Sequence, residues 1–286
     1  EIWQYTSRTP VAPEEEIILG DLGLYSAKIK CRDAAAAYAA LESAGAEVLS
    51  EPDKDPRGGM HFFVKDPYGN VFDIVESTSW FKDQGKPTGG AYGAIIGVSD
   101  LERSKKFYSE ILGYDEVLAE EDGVFDDLAA LPGGSSSIKR AILTHKAPRT
   151  ARFSKLFGSS EIELVQVQDR TPKKIFEGRF WGDLGFIHLC FDIVGMDALR
   201  AQCEEAGHPF TVDSFANLDA SFDMGEAAGH FSYIEDPDGT LIEFVETHKI
   251  PIMKKIGWYL DLRKKDPRKP IPNYILHAMG LNRVKD

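Results

Sequence analysis

The sequence is poor in cysteine, with three in 286 residues: Cys31, Cys190 and Cys203. An odd number without a CxxC pair argues against a disulfide framework and against a zinc site built from thiolates. No apolar run approaches the length of a membrane span, and we expect no signal peptide. These absences exclude the disulfide-rich secreted class and the membrane-spanning class. We therefore expect a cytoplasmic protein without a membrane partner.

Basic residues are also in the minority. The chain has 33 Lys and Arg against 46 Asp and Glu, for a formal net charge of −13, which argues against nucleic acid as a partner. A phosphate-binding loop and a dinucleotide fingerprint are both missing. The exception is the segment 249–286, which carries ten Lys or Arg and three Asp. Its apolar anchors, such as Trp258 and Leu276, predict a basic helical tail that packs on the body or on a second subunit.

What the sequence does contain is carboxylates inside apolar strands. The segment DPDGTLIEFVE places Glu243 on the same strand face as Leu241 and Val245. The upstream segment HFFVKDPYGNVFDIVES matches it position for position, with Asp73 where Glu243 stands, and SSEIELVQVQ places Glu163 similarly. A buried carboxylate is costly unless it is paired, protonated or bound to a metal. The repetition therefore favours a functional role for these carboxylates over the simpler interpretation that each lies on an edge strand and faces solvent.

Further repeats divide the chain into similar units. LGLYSAKIK and LGFIHLCFD begin two of them, and strand–helix–strand patterns extend over 21–80, 91–168 and 183–248. The second unit follows a Gly/Pro-rich linker, and its helix is predicted to begin at a capping box from Ser99 and to end at Gly113. Residues 1–8 look like the end of another unit. The pattern predicts an α+β protein of tandem βαβββ modules with a C-terminal helical tail.

Two of these segments resemble a known family. GVSDLERSKKFYSEILGY and DPDGTLIEFVE are similar to the first-strand–helix and last-strand signatures of the vicinal oxygen chelate superfamily, which includes glyoxalase I, extradiol dioxygenases, methylmalonyl-CoA epimerase and bleomycin-resistance proteins. The resemblance implies paired modules whose sheets curl into a cup around a divalent metal. We expect residues 1–82 to be an N-terminal module without metal, residues 91–248 to form the main cup, and 249–286 to be the tail.

The resemblance also implies site residues. Glu163, His188 and Glu243 fall at metal-ligand positions, for Zn, Ni, Mn or Fe, and Glu163 or Glu243 is the candidate catalytic base. Gly93 falls where the family has His or Gln, and Gly93→His is expected to restore a ligand if its ring points into the cup. His230 is a further candidate base or ligand, with an exposed loop end as the simpler interpretation.

Three functions remain open at this point. The first is a metal-dependent, glyoxalase-like lyase or isomerase that acts on a small molecule with vicinal oxygens. The second is a non-catalytic, small-molecule-binding protein of the bleomycin-resistance type. The third is an extradiol-type dioxygenase, which Gly93 disfavours because that chemistry needs a histidine there. A homo-oligomer is compatible with all three.

Overall fold

The computed structural model describes residues 5–214, 222–223 and 228–282, and the chain divides into two compact units. Unit 1 comprises residues 1–147, 159–187 and 237–240, and unit 2 comprises residues 148–158, 188–236 and 241–286. Residues 1–4, part of the predicted upstream unit, lie outside the described residues. The fold is α+β and is built from tandem βαβββ modules, as predicted.

Unit 1 contains two such modules in succession, together with a short 3₁₀ helix at Asp126–Leu128. Each module begins with a long strand, continues with a helix and ends with a strand that returns beside the first. The elements are β1 (Gly23–Cys31), α1 (Ala34–Ser43), β2 (Glu47–Val48), β3 (Asp53–Lys54), β4 (Met60–Lys65), β5 (Val71–Glu76), β6 (Thr88–Gly97), α2 (Leu101–Leu112), β7 (Glu116–Gly123), β8 (Ile138–Thr144) and β9 (Glu161–Val167).

The two modules of unit 1 share one sheet. Among the described residues it has nine strands in the order β2-β4-β5-β1-β6-β9-β8-β7, with β3 beside β4. The first strands of the modules, β1 and β6, pair antiparallel at its centre, while each pairs in parallel with the last strand of its own module. The sheet therefore joins residues that the predicted boundaries had assigned to separate domains, because β6 covers the second edge of β1.

Strand alternation gives the sheet of unit 1 two different faces. Phe62 packs with residues of α1 in one apolar cluster, whereas its neighbour Phe63 belongs to another cluster with Ile95 and Val165. Val165 stands two residues from Glu163, so the second face also carries the carboxylates of β9. This face is thus apolar at one end and charged at the other.

The helix α2 is bounded by the signals in the sequence, with a one-residue correction at its start. The N-cap is Asp100, whose carboxylate accepts a hydrogen bond of 3.0 Å from the backbone N–H of Arg103, so Ser99 is not the cap. Gly113 ends the helix with a φ of 71°, a left-handed conformation that glycine adopts without steric cost.

Unit 2 contains the third module and the tail. The elements are α3 (Ser154–Phe157), β10 (His188–Asp192), α4 (Met196–Glu205), β11 (Val212–Asp213), β12 (Phe222–Asp223), β13 (Ala228–Glu235), β14 (Leu241–Met253), β15 (Trp258–Asp261) and α5 (Asn273–Met279). Among the described residues its sheet has six strands in the order β10-β14-β13-β11, with β12 beside β13 and β15 beside β14. Met196 of α4 contacts Ser232 on the face of this sheet where Ile234, Ile242 and Phe244 are completely buried.

The basic tail contains the predicted helix and also strands that were not predicted. Residues 249–253 continue β14, and β15 pairs antiparallel with them. The tail packs on its own unit, because the N–H of Ile271 donates to the carbonyl of Arg152 and the side chains of Leu262 and Leu276 are buried. Among the described residues, none of the helices is long and apolar enough to span a bilayer.

The cap of α2 can be tested directly. Asp100→Ala leaves the N–H of Arg103 without its carboxylate partner, so the free energy of unfolding should fall by about 1 kcal/mol. Urea denaturation followed by circular dichroism measures the change. Lys106→Ala, on the exposed surface of the same helix, is the control and should have the smaller effect. Equal losses for the two variants would contradict the assignment of the cap.

Candidate functional site

The charged end of the unit 1 sheet is organised around the ammonium group of Lys28. Its Nζ lies 2.9 Å from Asp73 Oδ2, 3.0 Å from Glu161 Oε1 and 2.7 Å from Glu163 Oε2. Lys28 is 1% exposed and the three acids are completely buried. The contact with Asp73 is also a hydrogen bond, and Glu161 and Glu163 lie within ion-pair distance of the same ammonium group.

Each of these carboxylates uses its other oxygen to bind a second cation. Glu163 Oε1 accepts from Arg140 Nε at 2.7 Å, Glu161 Oε2 binds Arg57, and Asp73 Oδ1 lies 2.9 Å from His61 Nδ1. The result is a cation surrounded by three anions, which are themselves flanked by three further basic groups.

Two more acids complete the network. Asp127 Oδ2 contacts His61 Nε2 at 3.1 Å and Arg140 at 2.7 Å, and Asp55 binds the guanidinium of Arg57 at 2.6 Å. Asp127 comes from the 3₁₀ helix, so this short element ties the charged network to the apolar cluster, which contains the adjacent Leu128.

The network shifts the pKa values of its members. Burial by itself lowers the pKa of Lys28, but the three carboxylates outweigh it and hold that pKa well above its usual value. Burial raises the pKa of Glu163, yet Arg140 and Lys28 bring it down to about 2. For His61, burial is outweighed by Asp73 and Asp127, which raise the pKa to about 10. Lys28, Glu163 and His61 are therefore held in their charged forms near neutral pH.

These residues do not fit a divalent metal. Glu163, a ligand and base predicted from the sequence, has one oxygen on Lys28 and the other on Arg140. A metal ion beside Lys28 would meet an ammonium group that already occupies the point where the carboxylates converge. Like charges at that separation repel strongly in a buried site. In addition, Glu163 is in unit 1, whereas the other two predicted ligands, His188 and Glu243, are in unit 2.

The structure also explains why position 93 carries no side chain. Gly93 lies opposite Lys28 across β1 and β6 and is in register with Glu161 on β9. A Cβ atom there would be 1.8 Å from the carbonyl oxygen of Glu161. The expectation that Gly93→His restores a ligand is therefore wrong, since the neighbouring backbone occupies the space.

In unit 2 the sequence-predicted residues do come together. His188 on β10 and Glu243 on β14 lie on neighbouring strands, with 3.0 Å between Nε2 and Oε2. The hydroxyl of Tyr233, on β13, donates to Glu243 Oε1 at 2.7 Å. Cys190 is the strand partner of Glu243 and also hydrogen-bonds to it. Three adjacent strands thus direct one acid, one imidazole, one phenol and one thiol to the same face, opposite to the buried Ile242 and Phe244.

This cluster differs from the Lys28 network in its access to solvent. The side chains of His188 and Glu243 are 16% and 11% exposed, and Cys190 is exposed. Burial raises the pKa of Glu243, but hydrogen bonds from His188, Tyr233 and Cys190 leave it below its usual value. A partly accessible, ionised carboxylate beside an imidazole can bind a cation or accept a proton.

The remaining candidate, His230, lies next to another histidine. Its ring is 4.7 Å from that of His248, and its backbone lies opposite Glu246 in the antiparallel pairing of β13 with β14. The carboxylate of Glu246 accepts from the N–H groups of Gly195 and Met196 at the start of α4. His230 is buried, so it is not an exposed loop end.

Sequence reasoning missed Lys28, Arg140 and Tyr233. A signal for Lys28 was present, because the strand YSAKIKC places a charged residue in an apolar run opposite the acidic repeat. Arg140 and Tyr233 had no comparable signal, since their roles depend on which strands become neighbours.

The pKa of His61 predicts a decline of stability in mild alkali. Its pKa rises from 6.5 to about 10 on folding. The stabilisation that protonated His61 contributes to the folded state is therefore complete below pH 6.5. It is lost as the pH rises toward 10, because His61 of the unfolded chain releases its proton at a lower pH than His61 of the folded chain. His61→Gln should flatten this part of the profile of unfolding free energy against pH, measured by urea denaturation. His277→Gln, at an exposed position of α5, is the control and should keep the slope; an unchanged slope in His61→Gln would contradict the assignment.

Comparisons with known proteins agree with this architecture. The family model described as Glyoxalase/Bleomycin resistance protein/Dioxygenase superfamily matches residues 10–74 and 92–244. A search of curated proteins gave no match.

Solved structures with similar folds include a glyoxalase I variant from Zea mays, with 19% identity, a TM-score of 0.50, and coverage of 80% of this chain and 69% of that one. A glyoxylase/bleomycin resistance protein/dioxygenase domain from Frankia sp. EAN1pec has 22% identity, a TM-score of 0.34, and coverage of 52% of this chain and 91% of that one. At 19% identity the likeness to the Zea mays structure concerns the fold alone. Because the family model matches more than half of its residues, the chain belongs to the glyoxalase/bleomycin resistance protein/dioxygenase superfamily.

Proposed function

We propose that the chain is a metal-dependent, glyoxalase-like lyase or isomerase that acts on a small molecule with vicinal oxygens, and that His188 and Glu243 are its metal-binding pair. The observation that carries the proposal is the contact of 3.0 Å between His188 Nε2 and Glu243 Oε2 on neighbouring strands. Imidazole nitrogen and carboxylate oxygen are the donors that Zn, Ni, Mn and Fe share.

The ionisation of the pair suits this role. Metal ligands must be deprotonated, and the hydrogen bonds around Glu243 hold its pKa below the usual value against the opposing effect of burial. The pair supplies two donors. Among residues 5–214, 222–223 and 228–282, no group of three or more His, Cys, Asp or Glu side chains is arranged to hold a metal, so the site needs further ligands from substrate or water.

The side chains of unit 2 have separable roles in this proposal. Tyr233 fixes Glu243 by donating to Oε1, which leaves Oε2 as the oxygen that can leave His188 and take up a substrate proton. A bound divalent ion would supply polarisation of the vicinal oxygens. Glu163 has no part in the reaction, because it is completely buried and both of its oxygens bind cations.

A second candidate, a non-catalytic small-molecule-binding protein, is favoured by one observation. The His188–Glu243 pair lacks a third protein ligand among the described residues, and a binding protein does not need one. The dioxygenase alternative is further disfavoured, because the backbone around Gly93 leaves no room for a histidine.

Metal binding separates these candidates. Elemental analysis and thermal shift with Zn, Mn, Ni and Fe should show a metal-dependent rise in melting temperature for the wild-type protein, by the linkage between binding and folding. His188→Ala should abolish that rise, because it removes the only nitrogen donor of the pair. His277→Ala, at an exposed helical position, should retain it. If none of the metals binds the wild-type chain or shifts its melt, the enzymatic proposal falls and the binding protein takes its place.

Tyr233→Phe tests how the carboxylate is held. Loss of the hydroxyl removes one of the hydrogen bonds that lower the pKa of Glu243, so that pKa should rise. Metal affinity should fall by roughly 10-fold at neutral pH, as for other groups that orient metal ligands. Titrations at several pH values should show that the difference from wild type shrinks as the pH increases. An affinity equal to wild type at every pH would show that Tyr233 does not orient the site.

A further inference from the structure

The second face of the unit 1 sheet has the form of a cation site that is already filled by the protein. Three carboxylates from two strands, Asp73 on β5 and Glu161 and Glu163 on β9, direct one oxygen each toward a common point. That point is the Nζ atom of Lys28, at distances of 2.7–3.0 Å. An assembly of oxygen ligands around one positive charge is also what hard divalent cations such as Ca²⁺ require.

We propose that Lys28 is the built-in cation of unit 1, and that its ammonium group takes the place of a metal ion at the centre of this sheet. The inference is that unit 1 binds no divalent metal while Lys28 is present, and that a latent site for a hard cation appears when the ammonium group is removed. Any metal requirement of the protein then belongs to unit 2 alone.

Three observations support the proposal besides the distances. Lys28 and the three acids are buried, so water cannot neutralise the carboxylates in its absence. The second oxygen of each acid already binds Arg57, Arg140 or His61. Of the inner oxygens, that of Glu161 also accepts from Arg57 at 3.3 Å, so the inner oxygens of Asp73 and Glu163 are the ones that rely on Lys28. Lastly, the backbone beside Gly93 excludes any side chain that could approach from the opposite strand.

The repeat alignment places the two units in contrast. Lys28 of LGLYSAKIK corresponds to Cys190 of LGFIHLCFD, and Ser26 corresponds to His188. The unit with the lysine has no histidine at the first-strand position, and the unit with the histidine has a thiol where the ammonium group would be. The same scaffold thus carries its own cation in one copy and lacks it in the other.

The test compares two substitutions that remove the same charge but leave different spaces. Lys28→Ala opens a cavity among the three carboxylates, whereas Lys28→Met fills it with an uncharged chain of similar length. Both are made in full-length protein that also carries His188→Ala and Glu243→Gln, so that binding in unit 2 cannot contribute. This background keeps the test independent of the proposed function, since it measures unit 1 only.

Calcium chloride is the probe, with binding measured by calorimetry and stability by thermal melting. Both variants should melt roughly 10 °C lower than the parent, because buried acids lose their partner. Of the two variants, Lys28→Ala should bind one equivalent of Ca²⁺, with a dissociation constant below about 1 mM, and Lys28→Met should not. Calcium should therefore restore most of the melting temperature that Lys28→Ala has lost. Adding Glu163→Gln to Lys28→Ala should abolish the binding. If Lys28→Ala is unfolded in chelator, calcium should restore its near-ultraviolet circular dichroism.

Several outcomes would overturn the proposal. The first is that the His188→Ala, Glu243→Gln protein, which retains Lys28, binds a divalent ion and loses this binding when Glu163→Gln is added. Such a result would place a metal beside the ammonium group, and it can be obtained without any Lys28 variant. Equal calcium binding by Lys28→Ala and Lys28→Met, or a failure of calcium to bind or refold Lys28→Ala, would also show that the carboxylates form no latent cation site.

Discussion

Unit 1 depends on the contact between one ammonium group and three carboxylates. Burial of Lys28 removes its hydration, and burial of Asp73, Glu161 and Glu163 removes theirs, so each charge is costly by itself. The four groups become compatible with a protein interior only together. Because Lys28 belongs to the first module while Glu161 and Glu163 belong to the second, the contacts of Lys28 with these two glutamates form only when β1 and β6 pair. The burial of these charges therefore depends on the pairing of β1 with β6, and the ion pairs in turn favour that pairing.

The repeated module separates scaffold from chemistry. In both units a last-strand acid supports the first turn of the module helix: Glu76 accepts from the N–H of Ala34, and Glu246 accepts from the N–H groups of Gly195 and Met196. This contact belongs to the scaffold and is retained. The positions that face the centre of the sheet have diverged instead, from a closed ionic network in unit 1 to a partly accessible acid–imidazole pair in unit 2.

The sequence predicted much of the fold because its signals are local. Turn residues, strand alternation and the boundaries of α2 are encoded within a few neighbouring residues, and the repeats give the βαβββ order. The pairing of His188 with Glu243 also followed, since the two belong to one module. What could not be predicted was the partner of Glu163. Its role is decided by Lys28 and Arg140, which lie 135 and 23 positions away in the chain, and an acid in a strand looks the same whether a metal or a lysine neutralises it.

The order in which the chain contributes to the two units limits how the protein can be divided. The chain leaves unit 1 after residue 147, supplies residues 148–158 to unit 2, and returns to unit 1 at residue 159. Glu161 and Glu163 come only after that return. A contiguous fragment that ends at the first boundary would therefore contain Lys28 and Arg140 but neither glutamate. Recombination at that boundary would separate Lys28 and Arg140 from Glu161 and Glu163, so the complete network has to be inherited as a longer stretch of sequence.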